Sequence, residues 1–140
     1  MRLLPLILIA TSVRGSDAGA PQFYELTTQT TMPHLEENLR YATTTKRQCL
    51  TWPQLVTSFP ILRHPALAGC SLKNEIRDPV KATYQLICEG GHGTTGAAIW
   101  RLGEHRVRGT LDVRLGGKNM TFSQSITAVP IGSCALEGER

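Results

Sequence analysis

The chain has no C-x-x-C pair, no G-x-S-x-G turn and no apolar run long enough to cross a bilayer. Each absence excludes something. Without closely paired cysteines, a structural zinc site lacks its usual ligand spacing. Without the strand–turn–helix serine motif, a hydrolase of the nucleophile-elbow type has no place for its nucleophile. A membrane-spanning helix needs about twenty consecutive apolar residues, so the mature region carries no transmembrane segment. Internal repeats, heptads and low-complexity runs are missing too, and aromatic residues make up only 6% of the chain. Lys and Arg outnumber Asp and Glu by 15 to 11, for a net charge of +4. That excess supports weak attraction to anionic surfaces, but not specific nucleic-acid binding.

What is present begins with an export signature. Met1-Arg2 is a positive start, Leu3 to Ala10 is apolar apart from Pro5, and Ala18-Gly19-Ala20 fits an A-x-A cleavage site. This is the plan of a secretory signal peptide over residues 1–20. Pro21 would hinder cleavage after Ala20, which leaves Ser12 and Gly15 as alternative cut points. Losing Arg2, Arg14 and Asp17 lowers the charge from +4 to +3. The expected organisation is therefore a signal peptide, a single β domain over 21–134 and a charged tail over 135–140, in a periplasmic or secreted protein. A domain of this size gains noticeably from cross-links.

Four cysteines behind an export signal read as two disulfides with three possible connectivities. Asp78-Pro79 is a turn signal between Ser71–Arg77 and Val80–Ile87, and Cys70 and Cys88 are equidistant from position 79. Folding there opposes Leu72 to Leu86, Asn74 to Tyr84 and Ile76 to Ala82 on a largely apolar face. Lys73 then opposes Gln85, Glu75 opposes Thr83 and Arg77 opposes Lys81 on a polar one. This register brings Cys70 and Cys88 within bridging distance, and elimination leaves Cys49–Cys134. The chain-entropy argument gives roughly 3 to 5 kcal/mol for each bridge.

Phe23–Met32 and Leu39–Leu50 read as threonine-rich strands joined by a polar turn. Thr51 and Gln54 form a capping box that predicts a short helix over Trp52–Ser58, ended by Pro60. Residues 61–69 form an irregular connection packed by Ile61, Leu62 and Leu67. After the 70–88 hairpin and a flexible Glu89–Gly93 turn, residues 94–102, 105–115 and 118–129 alternate apolar and polar as three strands. A turn at Gly103-Glu104 opposes Trp100 to Val107 and Ala98 to Gly109. A two-residue turn at Gly116-Gly117 opposes Val113 to Met120, Leu111 to Phe122 and Val107 to Ile126. Gly96 and Gly109 then lie close together, where a sheet bends sharply. The predicted fold is mostly β: an antiparallel meander of about seven strands, curved or closed into a partial barrel, with one short helix.

No catalytic, metal or cofactor site is expected. His34, His64, His92 and His105 fall in turns or loops without metal-ligand spacing. Gly116-Gly117-Lys118-Asn119 lacks the glycine spacing and trailing Ser/Thr of a phosphate loop, and reads as a hairpin turn. Asn119-Met120-Thr121 matches a glycosylation acceptor but falls in a strand. Asp112 lies among Arg106, Arg108 and Arg114, where a surface ion pair is the plain expectation. Two faces remain as candidates. Arg101, placed opposite Arg106, forms a positive outer strip with Arg108 and Arg114 that suits lipid phosphate, anionic polysaccharide or nucleic acid. It has no interleaved aromatics for stacking bases. Tyr84, Trp100, Met120 and Phe122 form the inner apolar face, as core or as a binding surface for an apolar ligand.

Several short segments, in order and spacing, resemble a bacterial domain-of-unknown-function family numbered 3617. They are Phe23–Thr28, Thr31-Met32-Pro33, Gln48-Cys49-Leu50-Thr51, Cys88-Glu89-Gly90-Gly91, Gly96, Gly109–Val113, Gly116-Gly117, Met120-Thr121 and Ile131-Gly132-Ser133-Cys134. The chain departs from that pattern at Gln22 and Tyr24 and lacks the methionine-rich continuation after Pro33. The resemblance implies a small exported, disulfide-containing β protein of Gram-negative bacteria, with no reaction, cofactor or catalytic residue attached. The functional expectation is a non-enzymatic exported protein that binds an apolar or cell-envelope ligand. The alternatives are an interaction module using the basic face, or a hydrolytic enzyme with an unrecognised site.

Overall fold

The structure is a computed structural model that describes residues 20–31, 43–90, 93–117 and 120–134. The signal-like residues 1–19, His34, His92, Lys118, Asn119 and the charged tail lie outside the described residues. Strands β1 (Gln22–Thr31), β2 (Thr43–Leu50), β3 (Cys70–Arg77), β4 (Lys81–Cys88), β5 (Thr95–Leu102), β6 (Val107–Leu115) and β7 (Met120–Ser133) form one antiparallel sheet. Its order is β2-β1-β7-β6-β5-β4-β3. Five strands follow one another as hairpins from β3 to β7, and β7 then pairs with β1. The sheet is not closed into a barrel; β2 and β3 are its two edges.

The alternation seen in sequence sets which face is buried. Along β7, Phe122, Gln124, Ile126 and Ala128 are buried, and Ser123, Ser125 and Thr127 between them are less so. Tyr24, Leu26 and Thr28 do the same on β1, and Leu111 and Val113 on β6. A sheet buried on one face needs a cover, and residues 51–69, which connect the two edge strands, supply it.

This covering segment starts with α1 (Trp52–Val56). The capping box is formed as expected: the Gln54 N–H donates to Thr51 Oγ1 at 3.3 Å, and the Thr51 N–H donates to Gln54 Oε1 at 2.9 Å. The helix ends two residues earlier than predicted. There the Thr57 hydroxyl donates to the Pro53 carbonyl at 3.0 Å and the Ser58 hydroxyl to that of Leu55 at 2.6 Å, closing the last turn with side chains. Two 3-10 turns follow, Pro60–Arg63 and Pro65–Leu67, where an irregular connection was expected. Leu55, Val56, Phe59, Ile61 and Leu67 enter the core. The segment is pinned to the sheet by buried Gln124, whose Oε1 accepts from the Ile61 N–H at 3.1 Å while its Nε2 donates to Thr30 Oγ1 at 2.9 Å.

Both disulfides pair as predicted. Cys70–Cys88 staples the start of β3 to the end of β4, and Cys49–Cys134 joins the strands flanking β1, with Cα atoms 5.8 Å apart.

Three registers differ from expectation. Trp100 faces Gly109 and Leu102 faces Val107, a shift of two residues, because the turn spans Gly103–Arg106 and is closed by the Gly103 N–H on the Arg106 carbonyl. The longer turn matches Leu102 with Val107, two half-buried apolar side chains. Likewise Leu115 faces Met120 and Val113 faces Phe122, also shifted by two residues from a two-residue turn at Gly116-Gly117. A two-residue shift leaves every side chain on its predicted face, so the core survives both corrections. It does separate the glycines: Gly96 faces Val113, and Gly109 lies beneath the Trp100 ring.

The third difference reverses faces. Cys70 to Lys73 pair as predicted with Cys88 to Gln85, but Ile76 faces Thr83 and Arg77 faces Ala82. Asn74 and Glu75 together oppose Tyr84, a β-bulge in which Asn74 adopts φ 60°. Asparagine tolerates that left-handed conformation better than most residues. The bulge turns Ile76 out to solvent, where it is 74% exposed, and turns Glu75 and Arg77 to the covered side of the sheet, where both remain exposed. Glu75 then accepts a hydrogen bond from the Tyr84 hydroxyl, and the Arg77 guanidinium sits 4.6 Å over the Trp52 ring. The expected pairs Glu75–Thr83, Ile76–Ala82 and Arg77–Lys81 do not form, and Tyr84 is opposed by two residues where Asn74 alone was expected.

Candidate anion-binding surface

On the outer face of the sheet, exposed cations meet across three neighbouring strands. Lys81 on β4 faces Arg101 on β5, and Arg101 faces Arg108 on β6. Directly opposed residues on neighbouring strands have Cα atoms roughly 4.5–5.5 Å apart, so three cations stand in one row across three strands. The row continues through Thr127 on β7, Thr27 on β1 and Thr45 on β2. Like charges directly opposite one another destabilise a sheet, and the acids sharing this face, Glu25 and Asp112, form no ion pair with the three among the described residues. Glu25 is engaged by Arg47 on the far strands, at 3.2 Å.

Arg106 enters from the β5–β6 turn. Arg101, Arg106 and Arg108, with Leu102, Gly103 and Thr127, line a shallow depression of about 320 Å³. Arg101 and Arg108 also line its neighbour of about 310 Å³, together with Ile99, Thr110 and Asp112. Asp112 lies four residues along β6 from Arg108, roughly 13 Å at strand rise, and forms no ion pair with Arg106 or Arg108 among the described residues. The Asp78 carboxylate in the β3–β4 turn accepts from the Val80 and Lys81 N–H groups, both at 2.8 Å.

The structure brings together three of the four arginines read from sequence and separates the fourth. Arg101 faces Arg108 rather than Arg106, a consequence of the four-residue turn. Arg114 faces Thr95 at the other end of β6 and lines a different cleft, with Thr31, Gly96 and Phe122 among its neighbours. Lys81 was not among the sequence candidates. Its polar-face position was visible in the hairpin, but its place beside Arg101 depends on β4 pairing with β5.

The inner apolar face is a core. Trp100 is completely buried, with Phe59 at 5.4 Å and Trp52 edge-on at 6.2 Å between ring centroids. Tyr84 and Phe122 are buried as well, whereas Met120 is 37% exposed at the start of β7. Burial pushes the Tyr84 phenol well above its ordinary range, and the Glu75 carboxylate that accepts its hydrogen bond raises it further. Burial alone raises Tyr24. Neither tyrosine lies beside a nucleophile–base pair. No group of three or more His, Cys, Asp or Glu side chains able to hold a metal occurs among the described residues. No helix among them is long and apolar enough to cross a membrane.

No known protein family, curated protein or solved structure matches this chain.

Proposed function

We propose that this chain is an exported, disulfide-stapled β-sheet module that holds an anionic component of the cell envelope against the outer face of its sheet and does no chemistry on it. The observation that carries this reading is the unpaired row Lys81–Arg101–Arg108, joined by Arg106 at its end. Three cations held in line by the backbone ladder cost stability in the free protein. Bound phosphate, sulfate or carboxylate relieves that repulsion.

Export is supported by the leader-like N-terminus and is compatible with the two disulfides. The resemblance to the exported family of unknown function points the same way. An apolar ligand on the inner face has less support, since Phe59 and Trp52 already occupy the space against Trp100.

The test is elution from a sulfonate surface by salt. Arg101→Ser with Arg108→Ser should elute at clearly lower salt than Lys46→Ser with Lys73→Ser, a pair that removes the same charge from the edge strands. Equal elution of the two pairs would show that net charge alone governs binding, and the reading would fail.

A further inference from the structure

We propose that the anion is carried by a lipid surface, met by the end of the sheet where the β3–β4 and β5–β6 turns lie side by side. This rests on the reading that the outer face takes an anion, and adds a second, apolar contact to it.

The two turns are tied together by the Leu102 N–H, which donates to the Val80 carbonyl at 2.9 Å. The most exposed large apolar side chains among the described residues both lie here, Ile76 at 74% and Val80 at 66%. Ile76 is outside only because the bulge at Asn74 reverses the end of β3; without it the side chain would face the core. Lys81, Arg101, Arg106 and Arg108 stand beside this tip on the same face or in the adjoining turn. The acids closest in sequence are Glu75, which accepts from the Tyr84 hydroxyl on the opposite face, Asp78, engaged by two backbone N–H groups, and Glu104 in the β5–β6 turn.

A free polyanion in water interacts with the cations and gains nothing from Ile76 and Val80. An anionic bilayer engages both: the cations meet lipid phosphate, and the aliphatic side chains leave water at the headgroup boundary. Aliphatics and cations meeting on one edge, with no aromatic among them to stack bases, favour the bilayer over a nucleic acid or glycan.

The experiment uses the purified protein with vesicles of phosphatidylcholine alone, or mixed with phosphatidylglycerol, at low and moderate salt. The wild type should bind the mixed vesicles at low salt and the neutral ones little. Near an anionic surface each Lys or Arg contributes about a fivefold factor, so Arg101→Ser with Arg108→Ser should lower vesicle partition roughly 25-fold and also elute early from sulfonate. Ile76→Ser with Val80→Ser should lower vesicle partition by about tenfold or more and leave sulfonate elution unchanged. Both positions are solvent-exposed, and urea unfolding checks that each variant folds. Undiminished vesicle binding by the Ile76/Val80 variant would overturn the lipid inference while leaving the anion-binding reading intact. So would binding to free dextran sulfate as tight as to mixed vesicles and equally sensitive to that variant. If the arginine variant elutes with wild type, the anion-binding reading itself fails.

Discussion

Replacing Gly109 by alanine tests the β5–β6 register and the packing of the core together. In the observed pairing the Trp100 ring lies across Gly109, and a Cβ there would come within 2.6 Å of Trp100 Cδ2 and Cζ2. Carbon atoms pack comfortably at about 3.5–4.0 Å, so the ring must retreat by about 1 Å. It has nowhere to go, because it is fully buried against Phe59 and Trp52. Overpacking of this kind costs about 1–3 kcal/mol. The reduced freedom of alanine in the unfolded chain returns about 0.4–1 kcal/mol. A net loss near 1.5 kcal/mol is expected, or roughly 5–8 °C in Tm for a domain of this size. Gly132→Ala is the control, since Gly132 is exposed on β7 and nothing lies within 4 Å of its added Cβ. Urea unfolding with both disulfides intact measures each variant. In a Trp100→Leu background the Gly109→Ala penalty should largely vanish, a coupling that a double-mutant cycle reads directly. The reasoning is refuted if Gly109→Ala is as stable as Gly132→Ala, or if its cost is undiminished when the ring is gone. The register first inferred from sequence, with Ala98 opposite Gly109, predicts neither effect.

Three further outcomes follow from the same geometry. Gln124→Leu removes the acceptor of the Ile61 N–H and the donor to Thr30, leaving a buried N–H unpaired; a loss of about 2–3 kcal/mol in urea unfolding is expected. Thr51→Ala breaks the capping box and should cost about 1 kcal/mol by the same assay. The raised Tyr84 phenol makes stability fall with alkali. Its neutral form is favoured in the folded state, so its contribution is complete below the unfolded value of 10.0 and fades as pH rises from there toward the higher folded value. Tyr84→Phe should flatten the decline of urea midpoint above pH 10; an equally steep decline in the variant would show that another group is responsible.

Much of this architecture was legible because one-sided burial imposes a period of two. Val107, Gly109, Leu111 and Val113 were assigned to one face, and two-residue errors in both flanking registers left them there. The cysteine pairing was legible for a related reason, since the first residues of the 70–88 hairpin keep the predicted pairing as far as Lys73 and Gln85. The capping box at Thr51 was visible because its parts are only three residues apart. The bulge was not visible. Asn74 and Glu75 fit ordinary alternation as sequence, and only the packing of Tyr84, Trp52 and Arg77 shows why the strand reverses there.

By itself, then, the sequence determined the fold class, the buried face, the disulfide pairs and the basic, solvent-facing character of the other side. These follow from local alternation, short-range caps and hairpin symmetry. The tertiary structure decided which strands are neighbours, and through that the functional candidates. It set Lys81, Arg101 and Arg108 in one row, moved Arg114 to the other end, filled the inner face with residues 51–69 and turned Ile76 outward. Turn length and bulges change pairing by one or two residues. A change of two leaves a core intact, whereas the grouping of surface charges depends on the register itself.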